Sequence, residues 1–133
     1  MHNSARARGF TLIEVIIAMA IVAILVAVAL PTYRDHMRKS RRAEAQAYLM
    51  AVASRQQQFL LDTRAYVTDV ATVGIAQPAN VAAAYIVTIP PMAAGAPNFR
   101  IVATPTSDQA LEKCGTLAID NTGAKFPALS SCW

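Results

Sequence analysis

Histidine, cysteine, glycine and tryptophan are all scarce in this chain: two, two, five and one, respectively, among 133 residues. His2 lies near the N-terminus and His36 far from either cysteine, so no set of four nitrogen and sulfur ligands for zinc can be drawn. The glycines are scattered and form no phosphate-cradling loop. Asp120-Asn121 near Gly123 lacks the ligand series of a calcium loop and reads as a turn. No nucleophile, base and orienting group stand out together. The expectation is a protein that is not an enzyme, with no catalytic residue, no metal site and no cofactor.

Charge is also sparse, at 15% of residues, and unevenly placed. Arg6 and Arg8 precede a long apolar run, and Arg34, Arg38, Lys39, Arg41 and Arg42 follow it. From Asp62 onward the basic residues Arg64, Arg100, Lys113 and Lys125 are offset by Asp62, Asp69, Asp108, Glu112 and Asp120. The net charge of +4 therefore belongs to the flanks of the apolar run and says little about partners of the rest.

What is abundant is hydrophobic residues, 55% of the chain, with much of the excess between residues 10 and 30. A helix of that length spans roughly 30 Å, the thickness of a bilayer core. One reading is a single-pass membrane helix. Another is a cleaved secretory signal with Ala27-Val28-Ala29 as its cleavage pattern, although the run is long for one. Glu14 demands a third. A charge at mid-membrane costs about 2.5–3.5 kcal/mol, and no basic side chain lies between Phe10 and Leu30 to offset it. A cut between Gly9 and Phe10 would supply the partner, because Phe10 would then carry a cationic α-amine within one helical turn of a carboxylate on its own or a neighbouring chain.

Past Pro31, which costs a helix one hydrogen bond and kinks it, the sequence runs to about Leu61 without Gly or Pro. Ala45, Leu49, Val52 and Phe59 recur at helical spacing with Tyr48 on the same side, so this stretch reads as an amphipathic helix. Residues 62 to 83 read as a connection. Thr68 caps a short turn through Val73, Gly74 stops it, and Pro78 and Asn80 break the remainder. Strand signals occupy 85–89, 98–104 and 116–120, and "AKF" at 124–126 reads as a short edge strand. The expected class is α+β: a three- or four-stranded antiparallel sheet packed on the helix's apolar stripe. Cys114 and Cys132 are either a disulfide formed in an oxidising compartment or two unrelated thiols. As a disulfide they would contribute about 3 kcal/mol by closing their loop.

The stretch "RGFTLIEVIIAMAIVAILVAVALP" resembles the class III signal of type IV prepilins, with Gly9 before the cut, Phe10 after it, and Thr11-Leu12-Ile13-Glu14 following. "CGTLAIDNTGAKFPALSSCW" resembles the C-terminal region of PilE-like type IV pilins, where two cysteines bound a loop; the matching positions are Cys114, Gly115, Thr116, Leu117, Asp120, Gly123, Lys125, Cys132 and Trp133. The resemblance implies the type IV pilin fold, a leader at 1–9, a membrane and filament-core helix at 10–30, a helix continuing through 31–61, and a head at 62–133 with a disulfide-bounded region at 114–132. It implies that a prepilin peptidase cuts after Gly9 and N-methylates Phe10, and that Glu14 pairs with the Phe10 amine of another subunit. The implied partners are other pilin subunits and the inner-membrane pilus assembly machinery, with the subunit moving from the inner membrane to a surface pilus. Two alternatives share this signal. One is a type II secretion pseudopilin. The other is a competence pilin that receives DNA, for which Arg100, Lys113 and Lys125 are the candidate contacts.

Overall fold

The computed structural model describes residues 9–92, 95 and 98–133, so residues 1–8 of the expected leader lie outside the described residues. The chain divides into two compact units, Met1–His36 and Met37–Trp133, and one helix, α1 (Leu12–Thr63), passes through both.

In the first unit α1 begins at a threonine cap: the Thr11 hydroxyl accepts from the Glu14 backbone N–H at 3.3 Å, and the Thr11 carbonyl from the same N–H at 3.1 Å. Thr11-x-x-Glu14 is thus the spacing of a capping box, and it puts a carboxylate in the first turn, where the helix's partial positive charge favours it. The apolar stretch beyond is long and apolar enough to cross a membrane, with a mean hydropathy of 3.0 and none of it buried within the chain. Phe10, Leu12 and Ile24 are all largely exposed. Pro31 lies inside the helix rather than at its end.

In the second unit α1 buries Ala45, Tyr48, Leu49, Val52 and Gln56, the expected stripe with one polar addition and with Phe59 only half-buried. Against it lies a four-stranded antiparallel sheet in the order β1-β2-β3-β4: β1 (Tyr85–Thr88), β2 (Arg100–Pro105), β3 (Leu117–Asp120) and β4 (Lys125–Phe126). The register pairs Ile101 with Ile119 and Ala103 with Leu117, so all four point into the core beside Phe99. Tyr66 meets Phe99 edge-on, with ring centroids 4.7 Å apart.

The connection after α1 departs from expectation twice. A short helix, α2 (Val70–Val73), is capped by Asp69 rather than Thr68: the Asp69 carboxylate accepts from the Thr72 N–H at 3.2 Å. Gly74 does stop it, at φ 76. A further helix, α3 (Ala79–Ala84), occupies the stretch expected to be broken. Pro78 is its cap residue and Asn80 lies in its first turn, where a missing N–H or a weak helix former costs little. A 3-10 helix at Ser107–Leu111, with no counterpart in the sequence reading, links β2 to β3.

Arg64 closes α1 with φ 58, and its N–H bonds to the Leu60 carbonyl. A side chain in that left-handed conformation costs roughly 1–2 kcal/mol that glycine avoids. Arg64→Gly is therefore expected to raise the stability of residues 37–133 by about 1 kcal/mol, read as an upward shift in thermal midpoint.

Candidate functional site: the N-terminal motif and the disulfide head

Gly9 and Phe10 precede α1 and are exposed, and Phe10, Glu14, Val15 and Ala18 line one groove along the first turns. Phe10 sits just ahead of the Thr11 cap and shares this groove with Glu14, four residues on.

In the head, Cys114 and Cys132 form the disulfide, with an S–S distance of 2.01 Å and Cα atoms 5.6 Å apart. Successive turns of α1 hold this bridge. Arg42 donates to Glu112 Oε1 at 2.6 Å and lies against the Cys114 sulfur, while Glu112 Oε2 accepts from the Cys114 N–H at 2.9 Å. One turn on, the Gln46 amide donates to the Cys132 carbonyl. One turn back, Arg38 makes a forked pair with Asp108, at 2.6 and 3.1 Å. Gln109 donates to the Arg38 carbonyl and to the Tyr85 hydroxyl, whose pKa is pushed up chiefly by burial. Two members of the basic run that follows the apolar segment thus serve to pin the β2–β3 connection to α1. Their acidic partners lie 70 residues further along, a pairing that sequence reading has no local signal for.

The two ion pairs differ in burial. Asp108 is half exposed, whereas Glu112 retains 6% of its side-chain exposure. Asp108→Asn is expected to cost under about 1 kcal/mol and Glu112→Gln about 3 kcal/mol: the two guanidiniums are equally covered, but Asp108 pairs from solvent, whereas Glu112 is itself desolvated and also holds the Cys114 N–H. Denaturant midpoints of the two variants check the difference.

Two of the three candidate DNA contacts, Arg100 and Lys125, diverge. Arg100 lies over the Phe126 ring at 4.6 Å on the outer face of the sheet, and Lys125 over Trp133 at 5.3 Å. Arg100 pairs with Asp120 in register, and Lys125 with the inward-facing Ile119, so strand alternation sends Arg100 and Lys125 to opposite faces. Lys113 is exposed beside Cys114.

Asp120 organises the β3–β4 turn. Its Oδ1 accepts from the Thr122 hydroxyl and N–H and from the Ala124 N–H, at 2.6, 2.9 and 3.1 Å. The Thr122 hydrogen bond leads the effects that hold its pKa below the ordinary 3.8. A depressed folded pKa means the turn's contribution is complete above the unfolded value and is lost as pH falls through the folded one. Asp120→Asn should therefore reduce the acid-limb loss of stability below about pH 4, as followed by dichroism during acid titration.

Similarity to known proteins follows the same division of the chain. Residues 31–118 match the family described as type IV minor pilin ComP, DNA uptake sequence receptor, and residues 4–30 match the prokaryotic N-terminal methylation motif. The fimbrial protein EcpC of Eikenella corrodens is 37% identical over 73 residues, which are 55% of this chain and 48% of that protein. The type IV major pilin PilE of Neisseria gonorrhoeae is 34% identical over 79 residues, 59% of this chain and 47% of that one. The matched region thus spans about half the length of these curated relatives. A type IV pilin structure from Shewanella oneidensis superposes with a TM-score of 0.58 at 28% identity, covering 72% of this chain and 97% of that one. The long helix, the four-stranded sheet, the bridged cysteines and these matches agree: the chain belongs to the type IV pilins, in the family of the minor pilin ComP.

Proposed function

We propose that this chain is a structural subunit of a type IV pilus, made as a prepilin. A prepilin peptidase cuts between Gly9 and Phe10 and methylates the new Phe10 amine. The segment 10–30 then holds the subunit in the inner membrane with the head outside the cytoplasm. Assembly machinery extracts it into a surface filament, where lipid contacts are exchanged for contacts with other pilin helices. The observation that carries this reading is Glu14: the one carboxylate in the exposed apolar stretch, four residues after the residue whose amine cleavage would free. Mass spectrometry of sheared surface filaments tests it. The expected N-terminus is methylated Phe10, and Gly9→Val is expected to leave full-length chain in the membrane and no filaments. A filament subunit that still begins at Met1 rules the reading out.

DNA reception is the second reading, supported by the family match over residues 31–118. Phosphate binding needs cations free to displace counterions. In the head, Arg38 and Arg42 are held by acids, while Arg100 and Lys125 lie on opposite faces of the sheet. Binding of residues 37–133 to double-stranded DNA across a salt series separates the readings. Micromolar affinity with a steep salt slope supports reception, and no binding at low salt removes it. A role as a type II secretion pseudopilin would instead show as loss of secretion, with filaments intact, on deletion of the gene.

A further inference from the structure

The two sulfurs of the Cys114–Cys132 bridge sit in unlike surroundings. Cys114 Sγ lies directly against the Arg42 guanidinium, whereas Cys132 Sγ has the neutral Ser131 hydroxyl at 3.9 Å, and the cation on that side, Lys125, sits over the adjacent Trp133 ring. Among the described residues, the charged groups around Cys114 include Arg42 from α1, Glu112 just ahead of it in the chain, and the adjacent exposed Lys113. The Tyr85 hydroxyl, from β1, is close enough to feel both Arg42 and Glu112. Glu112 opposes Arg42, but each of its oxygens is already taken, Oε1 by Arg42 and Oε2 by the Cys114 N–H. The sulfur itself faces a cationic N–H. Gln46, one turn from Arg42 on the same face of α1, grips the Cys132 backbone rather than its sulfur.

We propose that α1 is the template on which this disulfide closes, with Cys114 as the attacking thiol. Arg42 steadies the Cys114 thiolate, and Gln46 positions Cys132 to complete the exchange. The oxidant is a disulfide, R–S–S–R. Cys114 loses its proton, attacks one sulfur of the oxidant and expels RS⁻, leaving a mixed disulfide on Cys114. Cys132 then gives up its proton, attacks the Cys114 sulfur and expels the second RS⁻. Two thiols are oxidised, one R–S–S–R is reduced to two RSH, and the two protons released by the cysteines end on those products. The thiolate is the reacting species, so the sulfur with the cationic neighbour reacts first. Closure on this template follows docking of α1 rather than preceding it.

The test uses the full chain in detergent micelles and glutathione disulfide at pH 7, with mixed disulfides read by mass spectrometry. In Cys132→Ser the remaining Cys114 is expected to form its mixed disulfide about tenfold faster than Cys132 does in Cys114→Ser. Adding Arg42→Met to each is expected to erase the difference, Arg42→Lys to keep most of it, and Glu112→Gln to widen it. In the chain with both cysteines, Gln46→Ala is expected to slow closure without moving its pH midpoint, whereas Arg42→Met moves that midpoint upward. Equal rates in the two single-thiol chains, a faster Cys132, or an advantage that survives Arg42→Met overturns the proposal.

Discussion

Glu14→Ala is expected to leave processing at Gly9-Phe10 intact and to reduce surface filaments about a hundredfold or more. The substitution removes the one carboxylate of the apolar run, so insertion into the bilayer becomes easier by as much as about 2.5–3.5 kcal/mol and membrane storage is unharmed. On the proposed assembly, what is lost is the partner of a Phe10 amine buried among helices. Breaking such a pair by deleting one member costs about 3–5 kcal/mol, which is two or more powers of ten in the equilibrium for each subunit added. The competing explanation is local: Glu14 also occupies the third position of a helix capped by Thr11. Capping and dipole effects there are worth about 0.3–1 kcal/mol, too little for the expected loss. Glu14→Gln separates the two, since it keeps a hydrogen-bonding side chain at the cap and removes the charge. Immunoblots of sheared and membrane fractions report both quantities at once. Normal filaments from Glu14→Ala would remove the register role.

The elements that could be read from the sequence were those with a strong local period. The stripe Ala45, Tyr48, Leu49 and Val52 declares itself at helical spacing, and the alternation Phe99, Ile101, Ala103 declares β2. These positions are buried because one face of each element needs covering, which is a property of the element alone. The cysteine pair was legible as a choice between a bridge and two thiols, and the fold decides it. What escaped was set by tertiary contact. The helix at Ala79–Ala84 begins where proline and asparagine look like breakers, and both are harmless in a first turn. Asp69 rather than Thr68 takes the cap, although both are residue types suited to it. The basic run looked like one feature. In the fold Arg38 and Arg42 belong to the head's internal polar contacts with Asp108 and Glu112, and nothing near them in sequence announces those partners.

Gln56 is the largest of these hidden positions in energetic terms, and Gln56→Ala is expected to destabilise residues 37–133 by about 2–4 kcal/mol. Its side chain is completely buried on α1, in a stripe that is otherwise apolar. The amide works as a strand would: Oε1 accepts from the Val67 N–H at 2.9 Å, and Nε2 donates to the Val67 carbonyl at 2.6 Å. Val67 lies in the connection between α1 and α2, outside any helix or sheet ladder that could take its backbone groups. Leaving a buried donor or acceptor unmade costs about 1–3 kcal/mol each, and alanine leaves both. The cavity adds to this, while water reaching Val67 would offset part of it. Gln56→Glu is expected to fare no better, because a carboxylate can accept from the Val67 N–H but cannot donate to its carbonyl, and brings a buried charge besides. Tyr66 and Val67 pack on the core next to this bond, and Tyr66 carries the edge contact to Phe99. Loss of the Gln56 bridge should therefore appear first as faster hydrogen exchange at the Val67 amide and then as a lower denaturant midpoint. A Gln56→Ala head with an unchanged midpoint and a still-protected Val67 amide would show that the connection is held by Tyr66 and Val67 packing rather than by the buried amide.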